Sequence, residues 1–387
     1  MKLRALVKTG KERSGEGLLL AFLMCSPALS YGQTVDSQST LSSSVSSSCS
    51  NLGHLADPFG SSTTITPSIQ KSPCANHSIQ QTLVVNGITR TFMLYVPGNY
   101  RPGKSALVIA LHGRGENVAD MESGSHLDDK SNEEGFAVAY PVGLADDAFG
   151  LADWNYFYSP FYLNGPDDVG FFRAIIDALG VQLHPDQRRI YLAGGSAGGF
   201  MAQRAGVELS DRLAAIAVVE GGIFVLGPTT PPSVPPVAAP VSVLLLKGDQ
   251  DAANQYCGAV FPTFGLTEAS ADQDFDYWTG SSANQCSDVD PAAQLCLSVG
   301  VGDAQANVTP GIPSALTRKQ GLSCKQHTAV RLYRLLGGQD FWNLNPMNVP
   351  GKVPFSPDLD ARTGVTTNDI IWKFFEDHPK KDGYEQE

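Results

Sequence analysis

The stretch IYLAGGSAGGF, residues 190–200, decides the fold. An apolar run ends at two glycines, a lone serine follows, and a helix-like pattern begins after it. The letters GGSAG (194–198) form a G-x-S-x-G pattern, which also arises by chance because glycine and serine are common residues. Its place between a predicted strand and a predicted helix is the context that a nucleophile elbow requires. Ser196 is therefore a candidate nucleophile at the end of a buried strand.

Continuous apolar runs elsewhere predict further strands that are buried on both faces, as in a parallel sheet. These runs are SALVIALHG (105–113), FAVAYP (136–141), LAAIAVV (213–219), VSVLLLKG (241–248) and AVRLYRLLGG (329–338). Helical patterns lie between several of the strands, at residues 167–179, 198–209 and 368–378. This alternation predicts an α/β fold with helices on both faces of a mostly parallel central sheet.

The folded domain is predicted to begin at residue 78 with a β-hairpin. Apolar and polar residues alternate on both sides of Asn86-Gly87 in IQQTLVVNGITRTFMLYVP (79–97). An Asn-Gly pair between two such runs is a strong hairpin signal. The preceding segment, residues 33–77, is Ser-rich and has little to bury, so it predicts a linker without a core of its own.

The charge balance and the N-terminus indicate an exported protein. The formal net charge is −12, which disfavours nucleic acid as a partner because binding it would need a basic surface. Basic residues precede the apolar run LLLAFLMC (18–25) and small residues follow it, so residues 1–32 predict a secretory signal peptide. The apolar run is too short to span a bilayer. We therefore expect a secreted protein, extracellular or periplasmic, without a membrane span.

The cysteine count supports an oxidising compartment. The chain has seven cysteines, of which Cys25 falls in the predicted signal peptide. An even number of cysteines in an exported chain predicts disulfides. The six that remain are Cys49, Cys74, Cys257, Cys286, Cys296 and Cys324. The pattern itself leaves their pairing open, although Cys49–Cys74 would be a local staple of the linker.

Two further motifs complete a candidate hydrolytic site around Ser196. The letters HGRG (112–115) follow a buried strand, and the loop there supplies one backbone N–H of the oxyanion hole in hydrolases with this elbow. We expect the amides of Arg114 and Ala197 to be the two donors, and His112 to have a structural role. Asp249 and Asp251 follow a later strand, where either carboxylate could orient an imidazole.

From about residue 80 to residue 378 the chain resembles the secreted polyhydroxybutyrate depolymerase and feruloyl/acetylxylan esterase group, which has the α/β-hydrolase fold. The segments that carry the resemblance are VIALHGRG, EEGFAVAYP, DWN, GPDDVGFFRAIID, RRIYLAGGSAGG, KGDQD and DLDA…IIWKFFEDHP. The resemblance implies a three-layer α/β-hydrolase domain over residues 78–379. A loop-rich insertion is expected at 252–325 and a short tail at 380–387.

The resemblance also assigns roles to particular residues. It implies that Ser196 is the nucleophile and that Asp251 is the acid, at the last position of the group's HG-x-x-D motif, whose leading histidine is replaced here by Lys247. Trp154 and Trp342 are expected to line the substrate site. It further implies a Cys286–Cys324 disulfide, which leaves Cys257–Cys296 as the accompanying pair.

One departure from this group concerns the general base. Its catalytic histidine lies in a G-G-H-x-W stretch after the last strand, where this chain has LLGGQDFWN (335–343), so that Gln339 occupies the position of the base. A serine hydroxyl is a weak nucleophile without an adjacent base, and glutamine cannot accept a proton at neutral pH. Among the other histidines, His126 is the least unfavourable substitute.

Two functions therefore stay open from the sequence. The first is a serine esterase that hydrolyses carboxylic esters of polyhydroxyalkanoate or acylated polysaccharide, with a rescued or residual activity. The second is a catalytically impaired relative that binds carbohydrate or polyester. The sequence contains no HExxH, EF-hand or Walker A pattern, so neither a metal nor an organic cofactor is expected.

Overall fold

The computed structural model describes residues 78–145, 151–156, 165–226, 234–249, 251, 253–261, 266–289, 316–335 and 366–381. All of them lie within one structural unit, Ser48–Glu387. The predicted signal peptide, the Ser-rich linker, the Cys49–Cys74 pair and residues 382–387 of the tail fall outside the described residues and stay predictions.

The described elements alternate between strands and helices along the chain. The strands are β1 (Ile79–Val85), β2 (Ile88–Tyr95), β3 (Leu107–Leu111), β4 (Ala137–Pro141), β5 (Leu144–Ala145), β6 (Ala152–Asp153), β7 (Ile190–Gly195), β8 (Ala215–Val219), β9 (Phe224–Leu226), β10 (Ser242–Gly248), β11 (Ala259–Phe261), β12 (Leu266–Glu268), β13 (Asp288–Val289), β14 (Leu316–Leu322) and β15 (Val330–Leu335). The helices are α1 (Val118–Ser125), α2 (Leu127–Glu134), α3 (Asp168–Gln182), α4 (Ala197–Glu208), α5 (Ala271–Thr279) and α6 (Thr367–Asp377).

Among the described residues, the main sheet has the strand order β1-β2-β4-β3-β7-β8-β10-β15-β14-β13. Strands β4, β3, β7, β8, β10 and β15 run parallel to one another. Strands β1 and β14 pair antiparallel with their neighbours β2 and β15. The predicted hairpin is present. Its turn has positive φ at both Asn86 (50°) and Gly87 (80°), as a type I′ hairpin turn requires.

The helices cover both faces of the sheet. Apolar residues of α3, α4 and α5 pack with one set of strand side chains, and those of α1, α2 and α6 pack with the alternate set. In β3, for example, Leu107 and Ile109 belong to the first layer and Val108 to the second, because successive strand residues point to opposite faces. The fold is therefore the predicted α/β-hydrolase sandwich. No helix in the described part of the chain is long and apolar enough to cross a membrane.

The segment predicted as a loop-rich insertion has more regular structure than expected. It contains α5, strands β11 and β12, which form a small sheet with β9 from an earlier part of the chain, and β14, which extends the main sheet beside β15. Helix α5 begins with a capping box in which Ser270 accepts the amide of Gln273 and the Gln273 side chain accepts that of Ser270. This S-x-x-Q signal is visible in the sequence and could have predicted the helix.

The structure contains one of the two disulfides predicted for the folded domain. Cys286 is bonded to Cys324, which ties the chain after α5 to the turn before β15. This confirms the pairing that the resemblance implied. Cys257 is also disulfide-bonded, but its predicted partner Cys296 lies outside the described residues, so that pairing stays a prediction.

Candidate active site

Ser196 lies in the sharp turn between β7 and α4. Its backbone has φ 51° and ψ −119°, a conformation that a residue with a side chain rarely adopts and that costs about 1–3 kcal/mol. Its amide donates to the carbonyl of Val219 at 2.9 Å, so the turn is fixed to the neighbouring strand β8. This geometry places the serine at the carboxyl end of β7 and at the N-terminus of α4, as a nucleophile elbow requires.

The glycines around Ser196 are required by close backbone packing. A Cβ at Gly194 would collide with the carbonyl of Gly198, one turn further along the chain. A Cβ at Gly198 would collide with the carbonyl of Leu111 at the end of β3. The pattern G-x-S-x-G therefore lets β7 turn directly into α4 while α4 lies against the end of β3.

The loop after β3, residues 112–116, faces this elbow and is called the oxyanion loop below. Within it, the Gly113 amide donates to the Glu116 carboxylate at 2.8 Å. The Gly115 amide donates to the carbonyl of Ala152, also at 2.8 Å. These two amides are therefore engaged by the protein itself. The amide of Arg114 stays our candidate donor, together with Ala197 at the first position of α4, where the helix dipole also favours a developing negative charge.

His112 is held on both sides of its ring by backbone groups. Nδ1 lies 2.7 Å from the carbonyl of Gly113, and Nε2 accepts the amide of Gly143 at 2.9 Å. These contacts require the neutral tautomer with the proton on Nδ1. Burial lowers the pKa of His112, which favours the same neutral form. With both ring nitrogens engaged, His112 does not have the arrangement of a general base for Ser196.

Trp154 differs from its predicted substrate-lining role. Only 4% of the residue is exposed, and the indole N–H donates to the carbonyl of His112 at 2.8 Å. The ring lies between His112 and Phe172, with centroid distances of 4.7 and 5.6 Å. The tryptophan therefore supports the oxyanion loop from inside the protein. Trp342, the other predicted lining residue, lies outside the described residues.

The two candidate acids after β10 are held in different ways. Asp249 forms an ion pair with Arg334 of β15, with its Oδ2 2.9 Å from Nη2 and 3.1 Å from Nε. Asp251 is buried, and its Oδ1 accepts the amides of Ala253 and Asn254 at 2.7 and 2.9 Å. Asp251 Oδ2 also accepts Nδ2 of Asn254 at 3.1 Å. The arginine competes with an imidazole for Asp249, whereas these neutral donors leave a lone pair free on Oδ2 of Asp251. This arrangement favours Asp251, the residue that the resemblance implied.

The other described histidines lie at four different places in the fold. His184 and His327 precede β7 and β15, at the opposite end of the parallel strands from the elbow. His378 ends α6, where its Nδ1 lies 2.6 Å from the carbonyl of Phe374. His126 joins α1 to α2 and has Nδ1 3.2 Å from Asp129, with about half of its side chain exposed. Gln339, the predicted base position, lies outside the described residues.

A buried group of charges that the sequence analysis did not assign lies next to the acid. Lys247, the last residue but one of β10, is 3.3 Å from Glu268 of β12, and both side chains are almost fully buried. Glu220 follows β8 directly with φ 50° and accepts the Gly248 amide at 2.6 Å. Asp274 of α5 accepts the amide of Ile223 at 3.1 Å. The only sequence signal for this group was the lysine in KGDQD.

Burial and mutual charge shift the pKa values in this group. Burial raises the pKa of Asp274 to about 8, since its effect, with the repulsion of Glu268, outweighs the attraction of Lys247. Burial alone would lower the pKa of Lys247, but the surrounding carboxylates, Glu268 first, more than compensate and raise it. Asp274 therefore holds a proton at neutral pH beside a charged lysine.

Part of this chain is similar to known esterases. Residues 90–230 match the family model described as "Esterase PHB depolymerase". The putative esterase NocK of Nocardia uniformis subsp. tsuyamanensis is 33% identical over 209 residues, which are 53% of this chain and 56% of that protein. The bifunctional acetylxylan esterase/xylanase XynS20E of Neocallimastix patriciarum is 30% identical over 135 residues, 35% of this chain and 18% of that protein.

The chain thus spans 56% of the length of NocK and 18% of the length of XynS20E. Among solved structures, an acetyl xylan esterase from Aspergillus awamori superposes with a TM-score of 0.44 at 10% identity, over 77% of this chain and 99% of that chain. The match to the family model includes the oxyanion loop, Trp154 and the elbow, and it ends before Asp251. Over residues 90–230, this chain is thus similar to the PHB depolymerase esterases, the group that its motifs resemble.

Proposed function

We propose that this protein is a secreted serine esterase that hydrolyses carboxylic esters. The observation that carries the proposal is the elbow: Ser196 has a strained backbone at the N-terminus of α4, opposite the oxyanion loop. Asp251, held by backbone amides after β10, is the proposed acid. The relatives support the reaction class, since NocK and XynS20E are both named as esterases.

In the proposed mechanism, Ser196 Oγ attacks the ester carbonyl carbon and passes its proton to a general base. The carbonyl oxygen becomes an oxyanion, which the amides of Ala197 and Arg114 stabilise. The proton then goes to the leaving alcohol, and an acyl-serine ester remains. A water molecule, deprotonated by the same base, attacks this ester and releases the acid and Ser196. Asp251 stabilises the base while it carries the proton.

The substrates proposed are polyhydroxyalkanoate chains or acyl groups on polysaccharide. The first follows from the family description and the second from XynS20E, which is named as an acetylxylan esterase. Secretion is proposed from the signal-like segment at residues 1–32, and the Cys286–Cys324 disulfide supports an oxidising compartment.

A second candidate function is a binding protein that has lost hydrolysis. Gln339 stands at the position of the base, and the described histidines either have both ring nitrogens engaged, as in His112, or lie on other parts of the fold. Such a protein would bind carbohydrate or polyester at the surface around Ser196. Loss of one triad member leaves about 10³–10⁴-fold catalysis over water in a serine hydrolase, so a low residual rate fits either function.

The test compares the purified mature chain with Ser196→Ala and Gln339→His on p-nitrophenyl acetate. We expect the wild type to exceed Ser196→Ala, which would show that Ser196 is a working nucleophile. If the wild type equals Ser196→Ala while Gln339→His gains activity, the binding function replaces the esterase. If the three proteins are equally inactive on p-nitrophenyl acetate and p-nitrophenyl butyrate, the assignment of the site is wrong.

A further inference from the structure

Three contacts join the oxyanion loop to one short piece of chain, residues 152–155, which we call the supporting segment. The Ala152 carbonyl accepts the amide of Gly115 at 2.8 Å. The Asp153 carboxylate lies 3.1 Å from Nε of Arg114. The indole N–H of Trp154 donates to the carbonyl of His112 at 2.8 Å. We propose that Trp154 is a positioning residue of the oxyanion hole, which fixes the loop that presents the Arg114 amide.

The supporting segment is itself held from three elements of the fold. The Asn155 amide donates to Asp168 at 2.7 Å, and the other oxygen of Asp168 lies 2.6 Å from Arg90 of β2. Arg90 and Asp168 are both almost fully buried. Nη1 of Arg204, on α4, donates to the carbonyl of Asn155. The position of Trp154 is therefore set by β2, by the start of α3 and by α4.

This connection links the two halves of the oxyanion hole. Helix α4 carries Ala197, one proposed donor, in its first turn. The same helix holds the supporting segment through Arg204, and that segment holds the loop with the second donor, Arg114. The distance between the two donors is therefore controlled by Trp154 as well as by the sheet.

His112 completes the support from the other side of the loop. Its Nε2 accepts the amide of Gly143 after β4, and its ring lies against the indole of Trp154. The peptide between His112 and Gly113 is therefore held by the indole N–H at its carbonyl and by Glu116 at its amide. The Arg114 amide follows one peptide later, so small movements of this peptide would misalign it.

The inference rests on the proposed function for its kinetic effect. Trp154→Phe removes the N–H donor and keeps an aromatic ring in the core. Removal of a complete oxyanion donor costs about 10²–10³-fold in kcat, and a displaced donor costs less. We expect kcat to fall about 10- to 100-fold, normalised to active sites titrated with a fluorophosphonate, while KM stays within about twofold. If Trp154 were only structural, Trp154→Phe would lower the number of titrated active sites but leave kcat per active site unchanged.

Trp372→Phe is the matched control. Trp372 is buried in α6 and stacks on Phe136 at 4.3 Å, but its indole N–H has no hydrogen-bond partner among the described residues. The same substitution there removes similar apolar area and no hydrogen bond. We expect kcat and KM of Trp372→Phe to equal those of the wild type. Equal kcat values for Trp154→Phe and Trp372→Phe would overturn the inference.

Hydrogen exchange measures the same role without relying on activity. We expect peptides that cover residues 112–116 to exchange at least tenfold faster in Trp154→Phe than in Trp372→Phe or the wild type. Unchanged exchange in this loop would overturn the inference, even in a protein that hydrolyses no ester. If the wild type matches Ser196→Ala in turnover while loop exchange rises in Trp154→Phe, the proposed function fails and the positioning role stands.

Discussion

At the scale of single residues, the least expected feature is the raised pKa of the buried Asp274 carboxyl. The carboxyl is completely buried near Lys247 and Glu268, and one of its oxygens accepts the Ile223 amide. Burial of a second anion beside Glu268 is unfavourable, so the group keeps its proton well above the ordinary range of an aspartate. If Asp274 is neutral, Lys247 forms its ion pair with Glu268.

This proton predicts a pH-dependent stability. The pKa of Asp274 is about 8 in the folded protein and near 3.8 in its ordinary state, so between these values the native protein holds one extra proton. The free energy of unfolding must therefore fall as pH rises from about 4 to about 8, with a limiting contribution of about 1.4 kcal/mol per pH unit. Asp274→Asn should flatten this slope in urea unfolding followed between pH 5 and pH 8.

The exposed Asp288 offers a control on the same measurement. Asp288→Asn makes the same chemical change at an exposed position and should keep the slope of the wild type. A slope in Asp274→Asn that equals the slope of the wild type would show that Asp274 is ionised at neutral pH in the folded protein.

At the scale of elements, the strand–turn–helix unit β7–α4 determines the site. The backbone of Ser196 is strained, and the strained conformation is held by the packing of β3 and α4 around the turn and by the hydrogen bond of its amide to Val219 of β8. At Gly198, α4 packs directly against the end of β3. The elbow is thus a product of neighbouring elements as well as of its own sequence.

Gly198→Ala tests this packing. The new methyl group would meet the Leu111 carbonyl, so α4 would have to move away from β3, and we expect the free energy of unfolding to fall by about 2–4 kcal/mol, in line with other overpacked sites. Urea unfolding gives the measurement. Gly124→Ala is the control, because Gly124 lies in α1 with open space around it and should gain about 0.5–1 kcal/mol. A loss below 0.5 kcal/mol in Gly198→Ala would contradict the close contact.

At the scale of the whole molecule, the site is assembled from both halves of the sheet. The oxyanion loop and the elbow follow β3 and β7, and the proposed acid Asp251 follows β10 next to β15. The Cys286–Cys324 disulfide ties the chain after α5 to the entry of β15, the strand that precedes the predicted base position. It closes a loop with a sequence separation of 38 residues.

Loss of this disulfide should therefore destabilise the domain as a whole. We expect the double variant Cys286→Ser/Cys324→Ser to lose about 2–4 kcal/mol of unfolding free energy, because closing a loop of this length restricts the unfolded chain. Urea unfolding under non-reducing conditions measures the change. A midpoint equal to that of the wild type, with an unchanged m-value, would show that the bond contributes nothing to stability.

Much of the fold followed from local sequence signals. The hairpin at Asn86-Gly87, the buried parallel strands and helices α3, α4 and α6 have clear periodicity or turn chemistry, and the structure has them at the predicted places. Strand β14 and helix α5 were missed. Strand β14 is an edge-side strand with a mixed sequence, LTRKQGL, and its pairing with β15 decides its structure more than its own pattern.

The candidate site, like the fold, was predicted only in part from the sequence. The sequence by itself determined the elbow, the HGRG loop and the pair of candidate acids, because each has a fixed local pattern at the end of a strand. The resemblance already pointed to Asp251, and the tertiary structure adds that Asp249 is engaged by Arg334, which lies 85 residues away from it along the chain. The tertiary structure also moved Trp154 from the substrate surface to the interior and revealed the buried charges around Lys247. Such contacts join distant segments, and no local pattern encodes which segments a fold will bring together.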